Sequence, residues 1–412
     1  MTDQRPHSPQ RPSSFRPPQP RPLWQYYVGI TVLLLVMVVA LTGGIIWYNS
    51  KKANQLAVAA TDRMMQEAGD DITNRIKLLY DPMYAIVGIA SLVPELTSPG
   101  IKDEPRAISL IRRVLETYPQ ILSLYVGFDN GEFFMVTHIA GENSAALRER
   151  LHAPPTAVFA NEIITADAGG GRTTRWIFLA EDGSVVGRLD PTPAEFDPRE
   201  RPWYDAVKQS DGVEQSDLYI FATSGVPGFT LSRRFKGEIA GVMAADLAAL
   251  DLANFLRDQR LTTTSTAFIF TKTGEVLALP DATRMIKAVQ SNGQMLVAPP
   301  KIGSLNDPVI AGLVAAYQDG RMAGTRFYEV NGRSYVGRVL DIPPRYGRDQ
   351  LLAIVVPVDE VEKPIVEIRN QTLIYSIAFL VFTLPLYVTL VVAWIDRRIE
   401  GRIRRPGSRD DT

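Results

Sequence analysis

Residues 121–139 read ILSLYVGFDNGEFFMVTHI, and this stretch indicates the kind of sheet that the chain builds. Two β-rich runs, Ile121–Phe128 and Glu132–Ile139, flank the tripeptide Asp129-Asn130-Gly131. Asn-Gly is a strong hairpin signal, because both residues tolerate the positive φ that a tight hairpin turn requires. The stretch therefore predicts an antiparallel hairpin.

The same pattern recurs along the chain. Other β-rich pairs flank Glu181-Asp182-Gly183, Thr273-Gly274 and Asn331-Gly332. The remaining strand candidates are Leu218–Ala222, Gly228–Phe235, Glu238–Ala245 and Leu351–Val356, and the helix candidates are Pro105–Thr117, Asp246–Asp258, Pro308–Tyr317 and Asp359–Arg369. Helices followed by antiparallel strands, twice over, predict an α+β fold.

Two uncharged apolar runs, Tyr26–Tyr48 and Thr372–Ile395, stand near the ends of the sequence. A helix of about 23 residues is about 35 Å long, which is enough to cross a hydrocarbon core of ~30 Å. We therefore expect two transmembrane helices. The alternatives are two buried core helices or, for the first run, a cleaved signal peptide.

Arginines dominate the outer flanks of both runs. Four precede the first run and six follow the second: Arg5, Arg11, Arg16 and Arg21, then Arg397, Arg398, Arg402, Arg404, Arg405 and Arg409. The positive-inside rule places both ends in the cytoplasm, although Lys51 and Lys52 favour the opposite orientation. The sequence thus predicts a multi-pass protein of the inner membrane with a large extracytoplasmic domain.

Composition excludes several kinds of chemistry. The 412 residues carry a net charge of -1, without the basic cluster that is typical of nucleic-acid binding. Cysteine is absent, and the three histidines (His7, His138 and His152) are scattered, which disfavours a metal centre. No nucleophile elbow or phosphate-binding glycine loop is found. We expect no enzyme activity, no cofactor, no metal and no nucleic-acid partner.

Three short motifs add a family resemblance. The most specific is FDPRERPWY at residues 196–204; the others are GVMAAD, which ends at Asp246, and VVP at residues 355–357. With these motifs, the region from Lys51 to Arg369 resembles the double Cache family of extracytoplasmic sensor domains. The resemblance implies a long stalk helix that carries two modules similar to the PAS fold, with the ligand in the membrane-distal one.

On this interpretation the chain has eight segments. They are a disordered cytoplasmic tail (1–25), transmembrane helix 1 (26–48), a stalk helix (49–79), the membrane-distal module (80–258), the membrane-proximal module (259–358), a connecting helix (359–371), transmembrane helix 2 (372–395) and a basic cytoplasmic tail (396–412).

The resemblance also implies a ligand site. Relatives that bind amino acids are similar in an Arg-x-Trp-Tyr core followed by a Tyr and an Asp, and the corresponding candidates here are Arg201, Trp203, Tyr204, Asp217, Tyr219 and Asp246. A guanidinium can clamp a ligand carboxylate, and a carboxylate can receive an ammonium group. An aromatic face adds a cation–π term of about 0.5–2 kcal/mol. Phe196 stands where the family has Tyr, so one ligand-binding hydroxyl is missing.

Each candidate also has a structural role open to it. These roles are packing of a loop for Trp203 and Tyr204, an ion pair with Asp197 or Glu200 for Arg201, the N-cap of a helix for Asp246, and a place in a strand for Tyr219.

The predicted function is that of a transmembrane sensor subunit for an amino acid, an amine or a carboxylate. Because only residues 396–412 follow the second apolar run, we expect the output to pass through transmembrane helix 2 to a separate partner, such as a cyclase or a kinase. The resemblance further implies a homodimer paired along the stalk. The alternative is a membrane-anchored solute-binding or scaffold protein without a signalling role.

Overall fold

The computed structural model describes residues 23–141, 144–167, 169–281, 288–291, 294–297, 299–318 and 324–403. The chain divides into two compact units. Residues 59–363 form one unit and contain all the sheets, and the other unit contains the apolar run near each end. Most of the two predicted tails lies outside the described residues.

Within the described residues there are eight α-helices and seventeen β-strands. The helices are α1 (Leu23–Ala90), α2 (Pro94–Thr97), α3 (Pro105–Thr117), α4 (Ala145–Arg150), α5 (Pro202–Ala206), α6 (Ala249–Asp258), α7 (Pro308–Gln318) and α8 (Val358–Ile403). The strands are β1 (Ser123–Phe128), β2 (Phe133–His138), β3 (Phe159–Ala166), β4 (Arg172–Leu179), β5 (Val185–Arg188), β6 (Thr192–Pro193), β7 (Val213–Gln215), β8 (Tyr219–Ile220), β9 (Pro227–Phe235), β10 (Gly241–Ala248), β11 (Thr266–Thr271), β12 (Val276–Ala278), β13 (Ala288–Ser291), β14 (Gln294–Val297), β15 (Arg326–Val330), β16 (Arg333–Asp341) and β17 (Gln350–Pro357).

The larger sheet is antiparallel and has ten strands. Its order is β5-β4-β3-β2-β1-β10-β9-β7, with β6 beside β4 and β8 beside β9. The hairpin predicted around Gly131 is confirmed as β1 and β2, in which Ser123 pairs with Thr137. The last strand, β10, lies beside the first, so that Ser123 also pairs with Asp246.

The second sheet repeats this arrangement with five strands, in the order β12-β11-β17-β16-β15. Counted along the chain, its order is second, first, fifth, fourth and third. The larger sheet has the same order at its centre, β2-β1-β10-β9-β7, and adds β3, β4 and β5 beyond β2. The predicted α+β fold with two PAS-like antiparallel sheets is therefore confirmed.

The larger sheet is covered on both faces. Successive side chains on a strand point to opposite faces. On β1, Leu124 and Val126 belong to the apolar cluster that includes α1, whereas Tyr125 belongs to a cluster on the other face. Ala244 of β10 lies in that second cluster, two residues from Asp246. We call this second side, which carries Tyr125, Ala244 and Asp246, the cavity face.

Pro82 does not break α1, which continues to Ala90, beyond the predicted end of the stalk helix at residue 79. A proline removes one N–H donor and crowds the carbonyl four residues earlier. Tyr80, Met83 and Tyr84 are all buried against the core, and this packing offsets the lost hydrogen bond. Tertiary packing thus overrides the local helix-breaking signal.

Other elements also differ from the sequence prediction. Asp246 does not open a helix: it lies inside β10, and α6 begins at Ala249. Strand β3 was missed, because Asn161 and Glu162 interrupt its apolar pattern; both side chains are nevertheless buried.

The unit near the chain ends contains two stretches long and apolar enough to cross a membrane, Thr31–Tyr48 in α1 and Leu373–Trp394 in α8. Their large apolar side chains are exposed; Leu33 is 69% and Phe382 is 78% exposed. An exposed apolar surface of this kind suits lipid better than water. Both stretches lie within the runs predicted to span the membrane.

Candidate functional site

A small cavity with a volume of about 20 Å³, partly open to solvent, lies on the cavity face of the larger sheet. Strands β1, β2, β8 and β10, the segment 196–203 and the loop after β8 contribute its walls. The lining residues are Ser123, Tyr125, Phe133, Met135, Thr137, Phe196, Arg201, Trp203, Tyr219, Phe221, Ala222, Thr223, Ser224 and Asp246. Four of the six predicted site residues converge here: Arg201, Trp203, Tyr219 and Asp246.

Asp246 provides a buried carboxylate. Its Oδ1 accepts hydrogen bonds from the Tyr125 hydroxyl at 2.6 Å and from Thr230 Oγ1 at 2.6 Å. Since the Thr230 hydroxyl has one proton and donates it to Asp246, the Tyr219 hydroxyl, 2.6 Å away, donates to Thr230. Burial raises the pKa of Asp246 to about 7, although these hydrogen bonds and the Arg201 charge oppose the rise. The N-cap role is excluded by the strand position.

Arg201 provides the cationic group of the cavity. Its guanidinium carbon lies 5.7 Å from the ring centre of Phe196 and 5.8 Å from that of Tyr219. Nη2 donates to the Ile220 carbonyl oxygen at 3.3 Å. The guanidinium is thus held between two aromatic rings and a backbone carbonyl, a geometry that orients it for a carboxylate.

The alternative ion pair for Arg201 is not formed in the described structure. Asp197 instead pairs with Arg199 at 2.6 Å and with Arg172 at 3.3 Å. Arg172 Nη1 also donates to the Phe196 carbonyl oxygen at 2.9 Å. These contacts hold the FDPRERPWY segment against the sheet and leave the Arg201 side chain to the cavity.

Trp203 is buried in α5 and forms part of the cavity wall. Its ring lies edge-on to Tyr125, with centroids 5.0 Å apart, and 6.5 Å from Phe133. The Ser232 hydroxyl donates to the Trp203 carbonyl oxygen at 2.8 Å. Trp203 therefore packs the segment onto the sheet, which is the structural role considered for it above, and it also faces the cavity.

Tyr204 and Asp217 are not brought to the cavity. The Tyr204 hydroxyl donates to Asp129 Oδ1, and Asp129 Oδ2 pairs with Arg234 at 2.7 Å. Tyr204 is adjacent to Trp203, and it ties α5 to the β1–β2 turn. Asp217 is exposed on the segment before β8.

Sequence reasoning missed the residues that complete the site. Tyr125 and Ser123 lie two residues apart on β1, and this strand was predicted, but its pairing with β10 was not. The pairing is what brings Tyr125 to Asp246. Phe221 and Ala222 lie in the loop after β8, although the predicted strand Leu218–Ala222 included them, and Thr223 and Ser224 follow in the same loop.

Part of the chain is similar in sequence to a cyclase and to chemotaxis receptors. No family model matches the chain. Adenylate cyclase 1 of Rhizobium meliloti is 27% identical over 268 residues, which are 65% of this chain and 40% of that protein. The methyl-accepting chemotaxis protein PscA of Pseudomonas syringae pv. tomato is 29% identical over 114 residues, which are 27% of this chain and 18% of that protein. The chain thus spans well under half the length of these relatives.

Solved structures similar to the chain include the ligand-binding domain of the Pseudomonas fluorescens chemoreceptor CtaA in complex with L-serine, with a TM-score of 0.44 and 18% identity over 73% of this chain and 99% of that chain. Another is the ligand-binding domain of the Campylobacter jejuni chemoreceptor Tlp3 in complex with 4-methylisoleucine, with a TM-score of 0.46 and 11% identity over 75% of this chain and 95% of that chain. Two PAS-like sheets, two candidate membrane helices and chemotaxis receptors among the sequence relatives confirm the predicted resemblance to Cache-type sensory domains.

Proposed function

We propose that this protein is a membrane-anchored sensor that binds a small α-amino acid, or a related amine or carboxylate, in the cavity of the larger sheet. One observation carries the proposal: Arg201 and Asp246 line the same cavity, and the described residues show no ion pair between them. A zwitterionic ligand supplies the carboxylate that Arg201 lacks and the ammonium group that Asp246 lacks.

The ligand's ammonium group would approach Asp246 Oδ2, because both protein hydrogen bonds end on Oδ1. Its side chain would lie against Phe133 and Met135 on β2. Pockets of this kind, apolar with a few polar anchors, are typical of small-molecule sites. Micromolar affinity corresponds to about -8 kcal/mol.

We further propose that the protein acts by binding rather than by catalysis, as a multi-pass protein of the inner membrane. Ligand binding would be transmitted through α8, which begins directly after β17 and contains the second candidate span. A partner chain, such as a cyclase or a kinase, would receive the signal, and two copies would pair along α1. The cyclase and the chemotaxis receptors among the relatives support a role in signal reception.

Thermal-shift screening and calorimetry test the binding step. The full-length chain in lipid nanodiscs is exposed to the twenty L-amino acids, simple amines and short carboxylates. We expect saturable stabilisation by at least one of them, and Asp246→Ala or Arg201→Ala should weaken that binding by at least about 100-fold through loss of a charge-assisted contact. Asp217→Ala, in an exposed residue outside the cavity, is the matched control. A folded chain that none of these compounds stabilises would refute the proposal.

A further inference from the structure

One wall of the cavity is a short closed turn. The segment Phe221–Val226 joins β8 to β9, and four of its residues, Phe221 to Ser224, line the cavity. The Phe221 N–H donates to the Val226 carbonyl oxygen at 2.9 Å, and the Gly225 N–H donates to the Phe221 carbonyl oxygen at 2.8 Å. Gly225 has φ +74°, a conformation that glycine adopts without strain. We call this segment the lid.

Two residues outside the cavity hold the lid. Thr223 Oγ1 donates to Glu162 Oε2 at 3.1 Å, and the Arg150 guanidinium donates to the Thr223 carbonyl oxygen. Glu162 lies on β3 and Arg150 at the end of α4. The side-chain hydroxyl and the backbone of one lid residue are thus fixed from two different elements.

Glu162 is an unusual residue to find in the interior. It is only 6% exposed, and a buried carboxylate is costly unless it is paired and hydrogen-bonded. Its neighbours across the sheet are uncharged, Met135 on β2 and Trp176 on β4. Arg150 is the charged group that faces it, and Thr223 is its hydrogen-bond donor. The hydrogen bond to this carboxylate therefore comes from the lid, and the positive charge that acts on it belongs to the arginine that also holds the lid.

We propose that Glu162 and Arg150 are positioning residues that latch the lid over the ligand cavity. The inference rests on the proposed function for its ligand, but the latch itself can be measured without one. An ionised Glu162 accepts a stronger hydrogen bond from Thr223 and attracts Arg150, so ionisation closes the latch. Burial raises the pKa of Glu162 to about 7, against the lowering effect of Thr223 and Arg150. The lid should therefore loosen as the pH falls below 7.

The absence of cysteine makes the latch directly measurable. Ser224→Cys places a single thiol on the lid of the full-length chain in nanodiscs, and Asp217→Cys is the exposed reference that corrects for thiol ionisation. We expect Glu162→Ala or Arg150→Ala to speed maleimide labelling of the lid thiol by about tenfold relative to the reference, as loss of a hydrogen bond to a charged group implies. Glu162→Gln should remove the pH dependence of labelling.

Thr223→Val provides a second route to the same test, since it removes the hydroxyl from the lid side and leaves the core intact. If Glu162→Ala does not fold, as judged by circular dichroism, Thr223→Val must still accelerate labelling. Unchanged labelling in Thr223→Val and in every folded Glu162 and Arg150 variant would overturn the latch.

The ligand measurement separates the two proposals. The affinity is measured for whichever amino acid stabilises the wild-type chain. Below pH 7, the logarithm of this affinity should rise by more than one unit per pH unit in the wild type and by about one unit per pH unit in Glu162→Gln. If no amino acid binds but labelling responds as expected, the latch stands and the proposed function fails. If an amino acid binds, but Glu162→Gln keeps the wild-type pH dependence of affinity and of labelling, the latch is refuted and the proposed function stands.

Discussion

The Asp246 carboxyl group is buried beneath two hydroxyl donors, and burial raises its pKa to about 7. Its unfolded value is about 3.9, so its protonated form is favoured in the unliganded fold. This group therefore contributes most to folding stability below about pH 4, and the contribution is lost as the pH rises through 7. A bound ammonium group has the opposite preference, because it requires the ionised form.

Affinity for an amino acid is accordingly expected to depend on pH through Asp246. For each pH unit below the pKa of Asp246, the affinity should fall about tenfold, because the carboxyl group must first lose its proton. Calorimetry between pH 5.5 and 8 measures the effect. Asp246→Asn should bind weakly, and its affinity should no longer show the pH dependence that the Asp246 proton causes. A profile that is identical in the wild type and in any Asp246→Asn that still binds would contradict a role for the carboxylate.

Gly127 on β1 leaves room for the Trp203 ring. An added Cβ would lie 2.7 Å from Trp203 Cη2 and 2.8 Å from Pro198 Cβ. Gly127→Ala must therefore displace the indole from the cavity wall; we expect a stability loss of about 1–3 kcal/mol, as for overpacked cores, and at least a tenfold loss of affinity. Chemical denaturation and calorimetry measure the two effects. Gly303→Ala is the control, since its Cβ meets nothing within 4 Å.

Tryptophan fluorescence offers a further check on Gly127→Ala, because displacement of Trp203, one of the five tryptophans, should change the total emission. If the variant keeps wild-type stability, affinity and emission, the close packing of Trp203 on β1 is not what shapes the cavity.

Among the elements, the first turn of α8 is fixed to the smaller sheet by two carboxylates. Thr264 Oγ1 donates to Glu360 Oε1 at 2.6 Å, and the Thr264 N–H donates to Oε2 at 3.2 Å. Asp359 forms a fork with Arg333 Nη2, at 3.0 Å from each carboxylate oxygen. Hydrogen bonds from threonine hydroxyls and the Arg333 charge lower the pKa of Glu360 to about 2. The attachment is therefore present above about pH 4.5 and is lost as the pH falls through 2.

Glu360→Ala should free this turn of α8. Hydrogen–deuterium exchange of the first α8 residues is expected to accelerate, because the Thr264 contacts no longer hold the turn, while the affinity of the cavity in the larger sheet stays unchanged. Glu329→Ala, in an exposed residue of β15, is the control. Unaltered exchange in Glu360→Ala would show that packing alone fixes the turn.

How far the sequence predicts these elements depends on where their signals lie. Turns such as Asp129-Asn130-Gly131 are local, so the hairpins follow from the sequence. Strand β3 does not, because Asn161 and Glu162 are buried by contacts with distant residues. Arg201 and Asp246 were named through the resemblance, but Tyr125 and the lid were not, since strand pairing and loop closure are set by the whole sheet.

Over the whole molecule, the proposed sensor requires its sheets and its chain ends to lie on opposite sides of a membrane. The candidate spans Thr31–Tyr48 and Leu373–Trp394 are exposed and apolar, and arginines flank both on their outer sides. An even number of spans returns the chain to the side from which it started. The positive-inside rule predicts that this side is the cytoplasm.

Single cysteines in the cysteine-free chain test this arrangement in intact cells. Asp217→Cys should react with a membrane-impermeant maleimide before lysis, because residue 217 is exposed in the unit that holds the sheets. Ser14→Cys and Ser408→Cys, beyond the two spans, should react only after lysis. The reverse pattern would place the cavity in the cytoplasm, where it could not sample an external solute. Labelling of all three before lysis, in cells shown to exclude the reagent, would remove the basis for two spans.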